Sequence, residues 1–389
     1  MTIDHDIPYG RQTITDADVA AVNEALRSDF LTQGPRIMEF EERFAGYVGS
    51  RYGVAVNNAT SGLHLAARAL GVGPGTRVIV TPMTFAASAN CIRYCGGDVT
   101  FCDIDPDTYL MDEEKLVEIL DRYPDGTFSG IVIVDFAGYP HNLERFRRIA
   151  DRYGLWIIED ACHAPGAWFT ASDGSRQRSG NGKWADCSVF SFHPVKHIAT
   201  GEGGMVTTDN PELLERLRLF RTHGITRDPA LLERNDGGWY YEMQELGFNY
   251  RLTDIQAALG ISQLSRAAEG LARRQEIARR YDEAFAGHTD IRIPSRADDI
   301  CHAFHLYVIQ VPDRKGLYDF LRENRVMAQV HYAPLHLMPY YKNLGNREGD
   351  LPVAEEYYRH CLSLPMFPAL TDEEQDYVIE KVLEFIERV

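Results

Sequence analysis

A chain of 389 residues, 44% hydrophobic and 25% charged, has the composition of an ordinary globular protein with room for one large and one smaller domain. A formal net charge of −17 excludes the basic face of a nucleic-acid binder, although backbone N–H groups at helix starts can still hold an anion in an acidic protein. Seven scattered cysteines with no C-x-x-C pair, an acidic start lacking a charged-then-apolar leader, and no long apolar run predict a cytoplasmic protein that does not enter a membrane.

In chain order, short apolar and β-branched runs at 54–56, 78–80, 99–101, 131–134, 155–158, 188–190 and 205–208 alternate with helical patterns. Continuous apolar strands separated by helices predict an α/β fold with a mostly parallel seven-stranded sheet covered on both faces. Segment 58–62, Asn-Ala-Thr-Ser-Gly, lies between the first strand and an apolar helix over 63–70. Residues 170–184 predict an exposed hairpin or loop, and Gly201-Glu202-Gly203-Gly204 a tight turn. A long helix is expected over 253–284 with Thr253 as its N-cap, followed by strands at 304–311 and 328–332. A last helix begins at Thr371, whose Thr-Asp-Glu-Glu has capping-box spacing. The expected organisation is a large domain over 1–250 and a smaller α+β domain over 251–389.

Ligands of such sheets sit at the carboxyl ends of the strands, where Asp135, Asp160 and the loop from Ser191 to Lys196 fall. An aspartate ending one buried strand and a lysine just past another suit pyridoxal phosphate. The carboxylate can keep the pyridine nitrogen protonated, and the amine can hold the aldehyde as a Schiff base. Lys196 must lose its proton more readily than an exposed lysine to act as nucleophile or base, and burial achieves this. Thr60, Ser61 and Ser191 suit an anion cradle, though a hydroxyl at a helix start is equally an ordinary cap. Phe85 can stack on a ring or belong to the core, and His163 can orient Asp160, touch the ring hydroxyl or be structural. No P-loop, dinucleotide fingerprint or H-E-x-x-H competes, and His302 and His305 have poor spacing for a metal, so none is assigned.

Segments 58–61, 159–164, 191–196, 201–204 and 247–251 together resemble the DegT/DnrJ/EryC1/StrS sugar aminotransferases, fold-type I pyridoxal-phosphate enzymes, over nearly the whole chain. The resemblance implies that Lys196 carries the cofactor, Asp160 pairs with the pyridinium and Thr60 and Ser191 bind the phosphate beside Ala59. It also places Phe85 and His163 at the ring. Asn249 would reach the phosphate in a neighbouring subunit, which implies a homodimer with shared sites. Within the family the likeness, carried by 30–35, 193–196 and 328–332, is to enzymes of pseudaminic acid biosynthesis. Those use L-glutamate to aminate C4 of a UDP-linked 4-keto-6-deoxy-N-acetylhexosamine. By that likeness Tyr9, Asp29, Phe30, Leu31, Thr32, Ala59, Ser191, Asn249, Arg251, Gln329, Val330, His331 and Tyr332 contact the sugar nucleotide or donor. Arg251 is equally a structural ion-pair residue, and 329–332 an interior strand. Other keto nucleotide sugars are the alternative substrates. A sugar dehydratase is disfavoured because such relatives often replace the lysine by histidine, and a non-catalytic binding protein because Asp160, Ser191, Lys196 and Asn249 are all present.

Overall fold

The computed structural model describes residues 3–388. The seven apolar runs form strands β1 (Tyr52–Val56), β2 (Arg77–Val80), β3 (Asp98–Phe101), β4 (Gly130–Val134), β5 (Trp156–Asp160), β6 (Cys187–Ser191) and β7 (Gly204–Thr208). They make one sheet in the order β1-β7-β6-β5-β4-β2-β3. The pairs β3/β2, β2/β4, β4/β5 and β5/β6 are parallel, whereas β7 runs antiparallel to both β6 and β1. Val, Ile and Phe fill both faces because helices cover both sides, so the strands show no polar alternation.

Helix Ala59–Ala69 lies close over β1, β6 and β7 because Gly62 has no side chain. A Cβ there would stand 3.0 Å from Val189 and 3.2 Å from Val206. Its N-terminus therefore opens just beyond the carboxyl end of β1. The expected hairpin at 170–184 is present as Trp168–Thr170 paired with Arg176–Arg178.

A second core gathers Ile277, Tyr281, Tyr307, Ile309, Leu362 and Val378 around the antiparallel pair Tyr307–Gln310 and Cys361–Leu364. The N-terminal strand Ile7–Pro8 pairs in parallel with Val326–Met327, which buries Ile7 in this same core. Three expectations need correction here. The helix expected over 253–284 is two, Asp254–Leu264 and Ala267–Phe285. The break falls where Arg266 leaves helical geometry and ties its guanidinium to Asp18 and the Thr13 carbonyl. The strand expected from 304 begins at Tyr307, because Phe304 takes a left-handed conformation and 302–306 docks through Ala303 and Leu306 onto Gly138 and Ala137. Segment 328–332 is no regular strand; it holds one bridge, Gln329 to Ser363. Thr253 and Thr371 both cap as expected, each with a full capping box. Among the described residues no helix is long and apolar enough to cross a membrane, and no cluster suits a metal ion.

Candidate active site

An open cleft of about 840 Å³ lies at the carboxyl ends of β1, β5 and β6. Its first wall is the start of helix Ala59–Ala69. Asn58 caps that helix, its Oδ1 accepting from the Ser61 N–H at 2.8 Å, so Asn58, not Thr60 or Ser61, is the capping side chain. The hydroxyls of Thr60 and Ser61 are thereby free to line the cleft beside Ala59 and Ser191. Positive helix-end potential and hydroxyl donors in one concavity suit a phosphate. Gly204 of β7 makes the concavity possible: a Cβ there would lie 2.8 Å from the Ala59 nitrogen.

Asp160 ends β5 and points into the same cleft, almost wholly buried. Its Oδ2 accepts from Ser88 Oγ at 2.6 Å and its Oδ1 from the Cys162 N–H at 3.2 Å. Ser88 in turn shares a 2.6 Å hydrogen bond with Thr84. Neutral donors thus hold a carboxylate that has no cation bound to it, and it can accept one more charged N–H. Phe85 projects into the cleft at 62% exposure, which rules out the core alternative and leaves its face open for a flat ring.

Lys196 stands on the loop after β6, its turn closed by a bond from its own N–H to the His193 carbonyl. Its Nζ lies 3.3 Å from His305 Nε2 and is not bound to Asp160. Removal from bulk water lowers the Lys196 amine to about 8, so a neutral amine is accessible near physiological pH. His163 accepts the Ala137 N–H at Nδ1, so its proton sits on Nε2, 3.4 Å from the Tyr332 hydroxyl. Burial holds His163 and His305 well below the ordinary histidine range and His331 down to about 4, so these imidazoles are neutral. His163 makes no bond to Asp160, so the orienting role weighed for it is not what the geometry shows.

The cleft also takes in Tyr9, His331 and Tyr332. Tyr9 packs on the His331 ring with centroids 5.2 Å apart. Gln329 and Val330 do not line the cleft: Gln329 pairs through its backbone with Ser363, and Val330 packs against the cores. Asp29, Phe30, Leu31, Thr32, Asn249 and Arg251 also lie outside it. They share one exposed ledge, where Thr32 bridges Thr253, the Leu31 carbonyl accepts from Asp254, and Asn249 bridges Thr222. Phe30 and Arg251 line a separate groove there. Asp135 is turned away from the cleft and bonds His141 and Ser179. Sequence reasoning missed Ser88, Thr84, Tyr250 and His305. The Thr84–Ser88 spacing of four was the one available signal, and His305 had none.

An anion cradle, a buried carboxylate, an open aromatic face and a low-pKa amine around one cleft are the groups a phosphorylated pyridine aldehyde requires. The model of the DegT/DnrJ/EryC1/StrS aminotransferase family matches residues 12–383. The chain is 37% identical to the spore coat polysaccharide biosynthesis protein SpsC of Bacillus subtilis, over 98% of this chain and 97% of that one. It is 35% identical to the UDP-4-amino-4,6-dideoxy-N-acetyl-beta-L-altrosamine transaminase of Campylobacter jejuni, over 98% of each. The structure matches that of Helicobacter pylori PseC, an aminotransferase of pseudoaminic acid biosynthesis, with TM-score 0.90 and 30% identity over 99% of this chain and 100% of that one. Its structural neighbours include a chain solved in its PLP-form.

Proposed function

Since this chain belongs to the DegT/DnrJ/EryC1/StrS aminotransferase family and is a pyridoxal-phosphate enzyme, we propose that it moves the amino group of L-glutamate to C4 of a UDP-linked 4-keto-6-deoxy-N-acetylhexosamine. The product is UDP-4-amino-4,6-dideoxy-N-acetyl-beta-L-altrosamine, on the pathway to pseudaminic acid. The likeness to the Campylobacter and Helicobacter enzymes supports the substrate. The observation that carries the site assignment is the single cleft lined by Lys196, Asp160 and the open start of helix Ala59–Ala69.

Bound there, pyridoxal phosphate supplies an electron-accepting ring and an aldehyde carbon that carries nitrogen from donor to acceptor. Ala59, Thr60 and Ser191 would hold the phosphate, and Phe85 would offer its face to the ring. Asp160 would accept the hydrogen bond of the ring nitrogen and keep its proton in place. The His163 Nε2–H would be the donor available to the ring hydroxyl. Lys196 would take the proton that leaves the donor's α-carbon and deliver it from the same face, which its pKa of about 8 permits without a strong base. Tyr9, His331 and Tyr332 close over the sugar.

Asn249, Arg251 and 29–32 are proposed to serve the cleft of a second copy, in a homodimer with shared sites. Their clustering on an exposed ledge supports this, as do exposed Trp239, at 75%, and Leu246 nearby in sequence. We also propose a cytoplasmic location and a division of the chain near residue 250. Another keto nucleotide sugar is the second reading, compatible with the likeness to SpsC, a protein of spore coat polysaccharide biosynthesis.

Assaying the pure enzyme with L-glutamate and a panel of keto nucleotide sugars tests the substrate. Preference for the UDP-linked N-acetylated 4-keto sugar is expected; preference for a dTDP-linked or non-acetamido sugar would overturn that assignment. Lys196→Ala is expected to abolish turnover with every sugar, and retained turnover would overturn the site.

A further inference from the structure

His305 and Arg274 take no part in the chemistry above, yet both are buried beside Lys196. The His305 ring is almost wholly buried, with its centroid 4.2 Å from that of His163. Among the described residues its Nδ1 has no hydrogen-bond partner, and the Lys196 amine at 3.3 Å is the ring's one polar contact. Arg274 is 1% exposed and has no carboxylate partner among the described residues. Its Nη1 donates to the Met366 carbonyl at 2.8 Å, the Phe304 carbonyl at 3.0 Å and the His305 carbonyl at 3.4 Å, while Nε and Nη2 have no partner. Burying a guanidinium without a counter-charge is costly, and a leucine of similar packing would avoid that cost.

We propose that His305 is a positioning residue for Lys196, and that Arg274 is the clamp that holds His305 in place. Neutral His305 accepts one N–H of the free Lys196 amine at Nε2. That bond fixes rotation about the terminal carbon–nitrogen bond, so the amine's lone pair points into the cleft rather than at the protein wall. The hydrogen stays on Lys196 throughout. Arg274 contributes in two ways. It pins the 304–305 backbone and the 366 turn to helix Ala267–Phe285, and its charge disfavours protonation of Lys196. His305 belongs to the segment that docks on Ala137 and Gly138, so the C-terminal part of the chain completes a site whose other groups come from the sheet. The proposal rests on the role given to Lys196 above.

The test uses His305→Phe, His305→Gln, Arg274→Met and Arg274→Lys in the full chain, with two readouts. One is kcat and KM of the holoenzyme for glutamate. The other is the pH midpoint for acetylation of Lys196 in cofactor-free protein, followed by peptide mass spectrometry. His305→Phe is expected to lower kcat by about 10²-fold with KM little changed, because the amine loses its orientation. His305→Gln, which keeps an acceptor at a similar distance, should recover most of that loss. Arg274→Met should raise the acetylation midpoint and lower kcat, with Arg274→Lys restoring both. The double variant His305→Phe/Arg274→Met should lose less kcat than the product of the two single losses, since the clamping part of the Arg274 role acts through His305. Unchanged kcat in His305→Phe, an unmoved midpoint in Arg274→Met, or additive losses in the double variant would overturn the proposal. Lys196→Ala in parallel separates the two ideas: if it keeps full turnover, the role of Lys196 itself is wrong.

Discussion

Ser88 shows how one hydroxyl can tune a catalytic carboxylate. Its 2.6 Å bond to Asp160 gives a buried carboxyl group one of its two hydrogen-bond donors. Ser88→Ala is expected to lower the rate of the glutamate half-reaction by about tenfold, consistent with the loss of one charge-assisted hydrogen bond worth roughly 1.5–3 kcal/mol. Asp160→Asn should cost far more, about 10²-fold or greater, because an amide does not keep the ring nitrogen protonated. Rapid-mixing absorbance of the bound cofactor measures both; equal effects would contradict the separate roles. Asp160 and Lys196 were legible in the sequence because each ends or follows an apolar strand, and strand ends of a parallel sheet converge. Ser88, His305 and Arg274 were not, since a serine on a short helix, a histidine after a loop and an arginine on a polar-looking helix acquire meaning only through long-range contacts. Phe85 was ambiguous for a related reason: its sequence neighbours do not say whether it faces the core or the cleft.

The elements were legible where hydrophobic runs are uninterrupted, and less so where a side chain overrides them. All seven sheet strands and the caps at Thr253 and Thr371 follow from local pattern. The break between Asp254–Leu264 and Ala267–Phe285 depends on Asp18, far away in sequence, which no periodicity reveals. The contact of β7 with the start of helix Ala59–Ala69 makes a sharp prediction. Gly204→Ala places a methyl against the Ala59 backbone and should weaken cofactor affinity by pushing the cradle open, with little change in fold by circular dichroism. Retained affinity would show that the cradle is not where the phosphate binds. Behind the sheet, Glu159 accepts from the Gly180 N–H and Ser188 hydroxyl and abuts Asp135, which is itself bonded to His141 and Ser179. Burial, then the Asp135 charge, raises Glu159 well above the usual carboxylate range, so the folded protein keeps a proton there that the unfolded chain releases. Stability from this group is full below the ordinary glutamate pKa and falls as pH rises toward the folded value. Glu159→Gln mimics the protonated form, so its melting temperature relative to the parent should climb as pH rises above the ordinary glutamate range. A gap independent of pH would contradict a protonated Glu159.

In the molecule as a whole, part of the expected site lies outside the cleft. Asn249 and 29–32 sit on an exposed ledge, and the role proposed for them is in the cleft of a second copy. Mixing inactive Lys196→Ala and Asn249→Ala subunits tests this: random pairing should restore about a quarter of wild-type activity, since half the dimers are mixed and each mixed dimer has one intact site. No recovery would mean that Asn249 acts within its own chain or not at all. The sheet, the second core and the loop 302–306 converge on one amine, and that convergence makes the fold an enzyme. Reducing the holoenzyme with borohydride and locating the attached pyridoxyl group by peptide mass spectrometry tests it most directly. The group is expected on Lys196, and its appearance on any other lysine, or on none, would contradict the account.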